Sequence, residues 1–142
     1  MIIAVCGSLQ FARQMREMQK KLQEMGHTAL VPKSLDLIEL KGFKKPTTVE
    51  ERLKAEAAYD FIREHFRKIE KSDAILVVNL DKKGIKGYIG GNTFLEMGIA
   101  FYLGKKIYLL NAIPDMDYAK LEMHAMHPIV LKGNLSNLPS DK

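Results

Sequence analysis

The stretch Ala74-Ile75-Leu76-Val77-Val78-Asn79-Leu80 carries a single polar side chain, Asn79. A strand with one wet face alternates apolar and polar residues. A nearly unbroken apolar run is instead covered on both faces, which is the condition of a strand inside a parallel sheet with helices above and below. The run therefore commits the chain to an α/β architecture before any other segment is considered. Its strictly apolar part, Ala74–Val78, is far too short for the ~20 residues of a membrane helix.

The flanking segments supply the rest of such a sheet. Ile2–Cys6 is a short apolar run that ends at Gly7-Ser8, as a buried strand ends at a turn. Phe11, Met15, Met18, Leu22 and Met25 recur at spacings of three and four and trace one helix face up to Gly26. His27–Val31 reads as a second strand stopped by Pro32, and residues 32–47 read as a loop. Thr47 or Thr48 caps a long second helix whose apolar positions Val49, Leu53, Ala57, Phe61, Ile62, Phe66 and Ile69 keep the helical period. After Ala74–Leu80 comes a loop rich in glycine and lysine, Asp81–Gly91. A third helix follows from about Thr93 to Leu103, ended by Gly104. Ile107–Leu110 and His127–Leu131 complete five strands. Strands alternating with helices imply right-handed parallel crossovers. The expected fold is a three-layer, Rossmann-like sandwich with strand order 2-1-3-4-5, and the 142 residues make one domain, 1–142.

Composition narrows the function classes. The single cysteine, Cys6, excludes an internal disulfide framework and a multi-thiolate zinc site. His124 and His127 have no acidic or cysteine partner arranged around them, so no metal is expected. The net charge of +5 favours anionic ligands, but residues 41–71 mix nine basic with six acidic side chains, a solvated face and not a nucleic-acid patch. The N-terminus lacks the basic flank and length of a signal peptide, so a cytoplasmic protein with no membrane partner is expected.

Sheets of this order bind ligands at the carboxyl ends of the strands, near the switch point between the first and third. That rule gathers Gly7-Ser8, Asn79–Asp81 and Gly90–Glu96. Gly7 and Ser8 offer backbone N–H groups and a hydroxyl to an anion, with Arg13 one turn further on; equally, they make a tight turn with a capping serine. Gly90, Gly91, Asn92 and Thr93 open the third helix, where two glycines allow a ligand close to the backbone. Glu96 is either a carboxylate able to attack an anomeric carbon or, through Thr93-x-x-Glu96, half of a capping box. Cys6 reads as a small buried hydrophobe, and His65 as a partly buried histidine beside Phe66. The third helix is apolar on nearly all sides, more than one sheet face can cover, so a homodimer or larger homo-oligomer is expected.

Val5-Cys6-Gly7-Ser8, Ser72-Asp73-Ala74-Ile75-Leu76-Val77-Val78, and Glu96-Met97-Gly98-Ile99-Ala100 followed by Gly104-Lys105-Lys106-Ile107 resemble the nucleoside 2-deoxyribosyltransferase superfamily, which includes the 2′-deoxynucleoside 5′-phosphate N-hydrolases. The resemblance covers about residues 2–111. It implies a flavodoxin-like fold, a nucleophilic glutamate at Glu96, and a nucleoside or nucleotide site around Cys6, Gly7, Ser8 and the Gly90–Thr93 turn. The chain departs from the N-hydrolases at three positions: a supporting tyrosine is Ala4, the aspartate that helps protonate the leaving base is His65, and a phosphate-contacting serine is Gly90. The loop after the third strand is also longer. A fainter similarity joins Gly90–Glu96 to the Gly-Gly-x-Gly-Thr-x-x-Glu motif of phosphoribohydrolases.

The resulting expectation is an enzyme that cleaves or transfers the N-glycosidic bond of a (deoxy)nucleoside or nucleoside 5′-monophosphate. Glu96 forms a glycosyl-enzyme intermediate, His65 or else Asp81 protonates the departing base, and Gly7, Ser8, Arg13, Asn79 and Gly90–Thr93 hold the substrate. No metal or organic cofactor is required. The alternative is a protein that keeps the pocket for nucleotide binding or sensing without turnover. A flavin carrier ranks below both, because no aromatic side chain sits at Gly7–Gln10 or Asn79–Asp81 to stack on a flavin.

Overall fold

Ala74–Val77 forms the middle strand of a five-stranded sheet, and each of its residues is completely buried. The computed structural model describes residues 1–40 and 42–139. Lys41 of the expected 32–47 loop and residues 140–142 of the expected domain lie outside the described residues.

The strands are β1 (Ile2–Cys6), β2 (Thr28–Leu30), β3 (Ala74–Val77), β4 (Lys106–Leu109) and β5 (Ile129–Val130). All pairs are parallel and the order is β2-β1-β3-β4-β5, as the alternation of strands and helices requires. The expected single-domain α/β fold is the one observed. Pleating sorts the side chains of the two central strands between two cores. Ile3, Val5, Leu76 and Val78 face one side, packed with Met15 and Leu22 of α1 (Ala12–Glu24) and Leu35 of α2 (Lys33–Ile38). Ala4, Cys6, Ile75 and Val77 face the other. There they meet Ile69 of α4 (Phe61–Glu70), Met97 and Ala100 of α5 (Gly91–Tyr102), and Met123 of α6 (Lys120–Ala125).

Three segments differ from the sequence reading. The expected 32–47 loop contains α2: the second strand ends before Pro32 as expected, and Pro32 is also the N-cap of that helix, its carbonyl accepting the Leu35 N–H at 3.0 Å. The expected long second helix is broken at Asp60, which adopts the left-handed conformation (φ 49°, ψ 52°) between α3 (Val49–Tyr59) and α4. The break separates an exposed α3, which buries no residue, from an α4 whose His65 and Ile69, four apart, turn inward together. The third helix starts at Gly91 with Gly90 as N-cap, earlier than expected, so Thr93 and Glu96 lie inside it. The capping-box reading of Glu96 is thereby overturned. Among the described residues no helix is long and apolar enough to cross a membrane.

Candidate active site

Cys6 is the last residue of β1 and points into the α4/α5 layer. His65 reaches the same spot from α4, and Glu96 reaches it from α5. There Thr93, Glu96, Met97 and Ala100 form the buried face, a helical spacing that puts a carboxyl where apolar side chains are the rule. Cys6, His65 and Glu96 are 0%, 1% and 3% exposed. Cys6 Sγ is 3.5 Å from His65 Nε2, which is 4.0 Å from a Glu96 carboxylate oxygen.

Burial decides the charge state of this trio, because an isolated ion is costly in a dry interior. It pushes the Glu96 carboxyl up to about 8, against a smaller pull from the Cys6 thiol. It pushes the His65 imidazole down to about 4, assisted by the charge of Lys68 and opposed by Glu64 and the Val5 carbonyl. Burial also raises the Cys6 thiol, and Glu96 adds to the effect. At neutral pH the resting cluster is therefore a thiol, a neutral imidazole and a protonated carboxyl. It holds a transferable proton and no net charge.

The donor set of sulfur, imidazole nitrogen and carboxylate oxygen lies within 4.8 Å and is chemically acceptable to a transition metal. The 4.0 Å between nitrogen and oxygen exceeds the separation of roughly 3.3 Å that bonds of ~2.0 Å impose around a tetrahedral ion. At 4.0 Å the pair is neither hydrogen-bonded nor at ligating distance, and either role requires the two groups to close by roughly 1 Å.

The remaining expected residues divide. Ser8 caps a short 3-10 turn (Leu9–Phe11) ahead of α1, its Oγ accepting the Gln10 N–H at 3.3 Å. Gly7 packs so tightly that a Cβ there would stand 3.1 Å from Met15 Sδ and 3.2 Å from the Val78 carbonyl oxygen. Gly90 receives no side-chain cap, and the N–H groups opening α5 have no side-chain acceptor at the N-cap. Gly91 and Asn92 are exposed there, while Thr93 is buried.

Three expected residues have other work. The Asn79 side chain is fully buried. Its amide nitrogen donates to the carbonyls of Asn111, Ala112 and Gly87, and its oxygen accepts the Asn111 N–H at 2.9 Å, so it clasps the ends of β3 and β4 together. Exposed Asp81 accepts the Gly87 N–H at 3.0 Å and shapes its own loop. Exposed Arg13 lines a groove on the α1/α2 side with Arg16, Ile38 and Glu39. A wide cleft of about 720 Å³ between the Asp81–Gly87 loop and Asn111–Asp115 does not include Cys6, His65 or Glu96 in its lining.

Sequence reasoning missed Lys82 and Tyr88. Lys82 Nζ donates to Ser8 Oγ at 3.4 Å and lies 4.7 Å from the centre of the Tyr88 ring. The available signal was the position of their lysine-rich loop directly after the central strand. Nothing in its composition says which lysine turns toward β1.

No protein-family profile matches the chain, and no curated protein does. Two solved structures resemble it. A 2-deoxyribosyltransferase from the psychrotolerant bacterium Bacillus psychrosaccharolyticus superposes with a TM-score of 0.52 at 19% identity, over 77% of this chain and 71% of that one. A CMP N-glycosidase of Clostridium botulinum superposes with a TM-score of 0.52 at 15% identity, over 96% of this chain and 94% of that one. At such identities the likeness is one of fold alone: the chain shares its α/β fold with a 2-deoxyribosyltransferase and a CMP N-glycosidase.

Proposed function

We propose that the protein breaks, by hydrolysis or transfer, the N-glycosidic bond of a nucleoside or nucleoside 5′-monophosphate, with Glu96 as nucleophile. The observation that supports this best is the burial of Glu96 against His65 and Cys6 at the end of β1. A carboxyl is costly to keep in a core and contributes nothing to capping there. The shared fold with a deoxyribosyltransferase and a CMP N-glycosidase points to the same chemistry.

In this reading, substrate entry parts the walls around Glu96 and draws the carboxyl and imidazole together. The Glu96 proton passes to His65 Nε2, leaving a carboxylate beside an imidazolium. The carboxylate oxygen bonds to C1′ as the C1′–N bond breaks, and that electron pair leaves with the base, which takes the proton from His65. Water then attacks C1′, the ester bond to Glu96 breaks, and the proton from water restores the carboxyl. In transfer, the N–H of a second base takes the place of water. His65 thus fills the acid role through a proton that Glu96 stores, and Cys6 packs beside both groups. Gly7, Ser8 and the Gly90–Thr93 turn hold ribose or phosphate. This reading assigns no direct substrate contact to Asn79, which clasps β3 to β4, to Asp81, which bonds its own loop, or to Arg13, on the α1/α2 side.

The half-exposed Leu95 and Phe101 and the 84%-exposed Tyr102 on α5 support a homodimer packed through that helix. A second reading, nucleotide binding without turnover, draws on Ala4 and His65 standing where the N-hydrolases carry a tyrosine and an aspartate. Base release from a panel of nucleosides and their 5′-monophosphates separates the two. Release that Glu96→Gln abolishes supports the enzyme, and tight binding with no release supports the binding protein.

A further inference from the structure

We propose that Lys82 makes the site selective for a phosphate monoester, so that the substrate is the nucleotide and not the free nucleoside. This rests on the glycosidic reading above and names the substrate class within it.

Lys82 is held by backbone geometry, unlike an ordinary surface lysine. Its N–H donates to the Ile85 carbonyl at 3.1 Å, and the Ile85 N–H donates back to the Lys82 carbonyl at 2.9 Å. Between them Lys83 (φ 54°) and Gly84 (φ 73°) are both left-handed, the signature of a tight two-residue hairpin turn. The hairpin is tied at its base. The Tyr88 N–H donates to the Leu80 carbonyl at 2.8 Å, and Gly87, which closes the loop, bonds Asp81. The lysine therefore leaves a hydrogen-bonded hairpin, crosses the Tyr88 ring and ends on the hydroxyl of Ser8, at the switch point between β1 and β3.

The electrostatics around that ammonium are one-sided. Burial opposes its charge, and the neighbouring charges that act on it, Lys83, Arg52 and Lys45, are all positive. Among the described residues no carboxylate forms an ion pair with Lys82. A cation fixed in place, crowded by like charges and lacking an acid partner is stabilised by a bound anion. A phosphate offers several acceptor oxygens, which the Lys82 ammonium and the Ser8 hydroxyl can share. Tyr88 links this spot to the nucleophile's helix: a Cβ built on Gly90, the N-cap of α5, would lie 3.4 Å from its ring. Phosphate at Lys82 and Ser8 thus sits on the same rim from which α5 descends to Glu96.

The test compares wild type, Lys82→Ala and Lys82→Arg on matched pairs of nucleosides and 5′-monophosphates for the four common bases. For wild type, kcat/KM should favour the monophosphate at least tenfold. In Lys82→Ala that preference should fall 10–100-fold, mostly through KM, the loss expected of one charge-assisted hydrogen bond. Lys82→Arg should recover part of it. Equal use of both forms by wild type, or a preference untouched in Lys82→Ala, overturns the proposal while leaving the glycosidic reading intact. Should nothing be cleaved, that reading fails instead, and calorimetric titration with the same pairs decides. Tighter, salt-sensitive binding of monophosphates that Lys82→Ala abolishes supports the site. Equal affinity for both forms, or no binding of either, removes it.

Discussion

Replacing Glu96 by Gln keeps the volume of the side chain and its capacity to hydrogen-bond, and removes its acid. The folded Glu96 carboxyl keeps its proton up to about pH 8, whereas an unfolded glutamate loses it near 4.5. Its contribution to stability is therefore complete below pH 4.5 and is withdrawn as the pH climbs toward 8. His65 has the opposite slope: its folded value of about 4 lies under the ordinary 6.5, so stability grows with pH between those values. From pH 4.5 to 6.5 the two slopes cancel. From 6.5 to 8 only Glu96 remains, and at about 1.4 kcal/mol per pH unit the wild type should lose about 2 kcal/mol. That corresponds to roughly 5–10 °C in Tm for a chain of this size. Glu96→Gln should be flat over that interval. Between pH 4.5 and 6.5 it should instead gain about 3 kcal/mol, because only the His65 slope survives. Urea unfolding at half-unit pH steps measures both windows. The same variant, assayed for base release, should lose at least ~10³-fold in kcat. Parallel pH–stability curves for the two proteins would refute the buried, titrating carboxyl, and activity within tenfold of wild type would refute the nucleophile.

The other expectations concern the neighbours of that carboxyl and the frame around it. The wild-type profile of kcat/KM should be bell-shaped, with limbs near the values of about 4 and about 8 of the coupled His65–Glu96 pair. In His65→Ala the residual activity should rise with pH through the Glu96 ionisation instead of falling, and a retained alkaline limb would remove His65 from the proton path. Asn79→Ala should cost about 2–4 kcal/mol in chemical denaturation, because it strands the Asn111 N–H and three carbonyls at the β3–β4 junction. A loss below 1 kcal/mol would show that water replaces the amide. Tyr102→Lys together with Phe101→Lys should turn a dimer into a monomer in sedimentation, and a wild type that is monomeric at high concentration would dispose of the interface on α5.

The α/β class, the parallel sheet and its order follow from residues that can be read one segment at a time. An apolar run such as Ala74–Val78 has no stable place except between two layers, and the helical spacing of Phe11 to Met25 can serve only as one of them. Local chemistry was less legible where one residue allows two outcomes. Pro32 ends a strand and also opens a helix, and the burial of Leu35 accompanies that second outcome, which a loop over 32–47 does not contain. Asp60 lies within an unbroken helical pattern, yet the chain turns there: α4 packs His65 and Ile69 into the core, while α3 leaves Val49 and Leu53 exposed. The site shows the same division. Glu96, Gly7 and Ser8 stand out by their place after strands and at helix starts. The contact between Cys6, His65 and Glu96 joins residues 59 positions apart in the case of Cys6 and His65. The pleat of β1 decides which face Cys6 takes, and the packing of α4 against α5 decides that His65 meets it there. Burial then sets the proton on Glu96 and removes it from His65. Desolvation is a property of everything that surrounds a group, so only the tertiary structure could assign it.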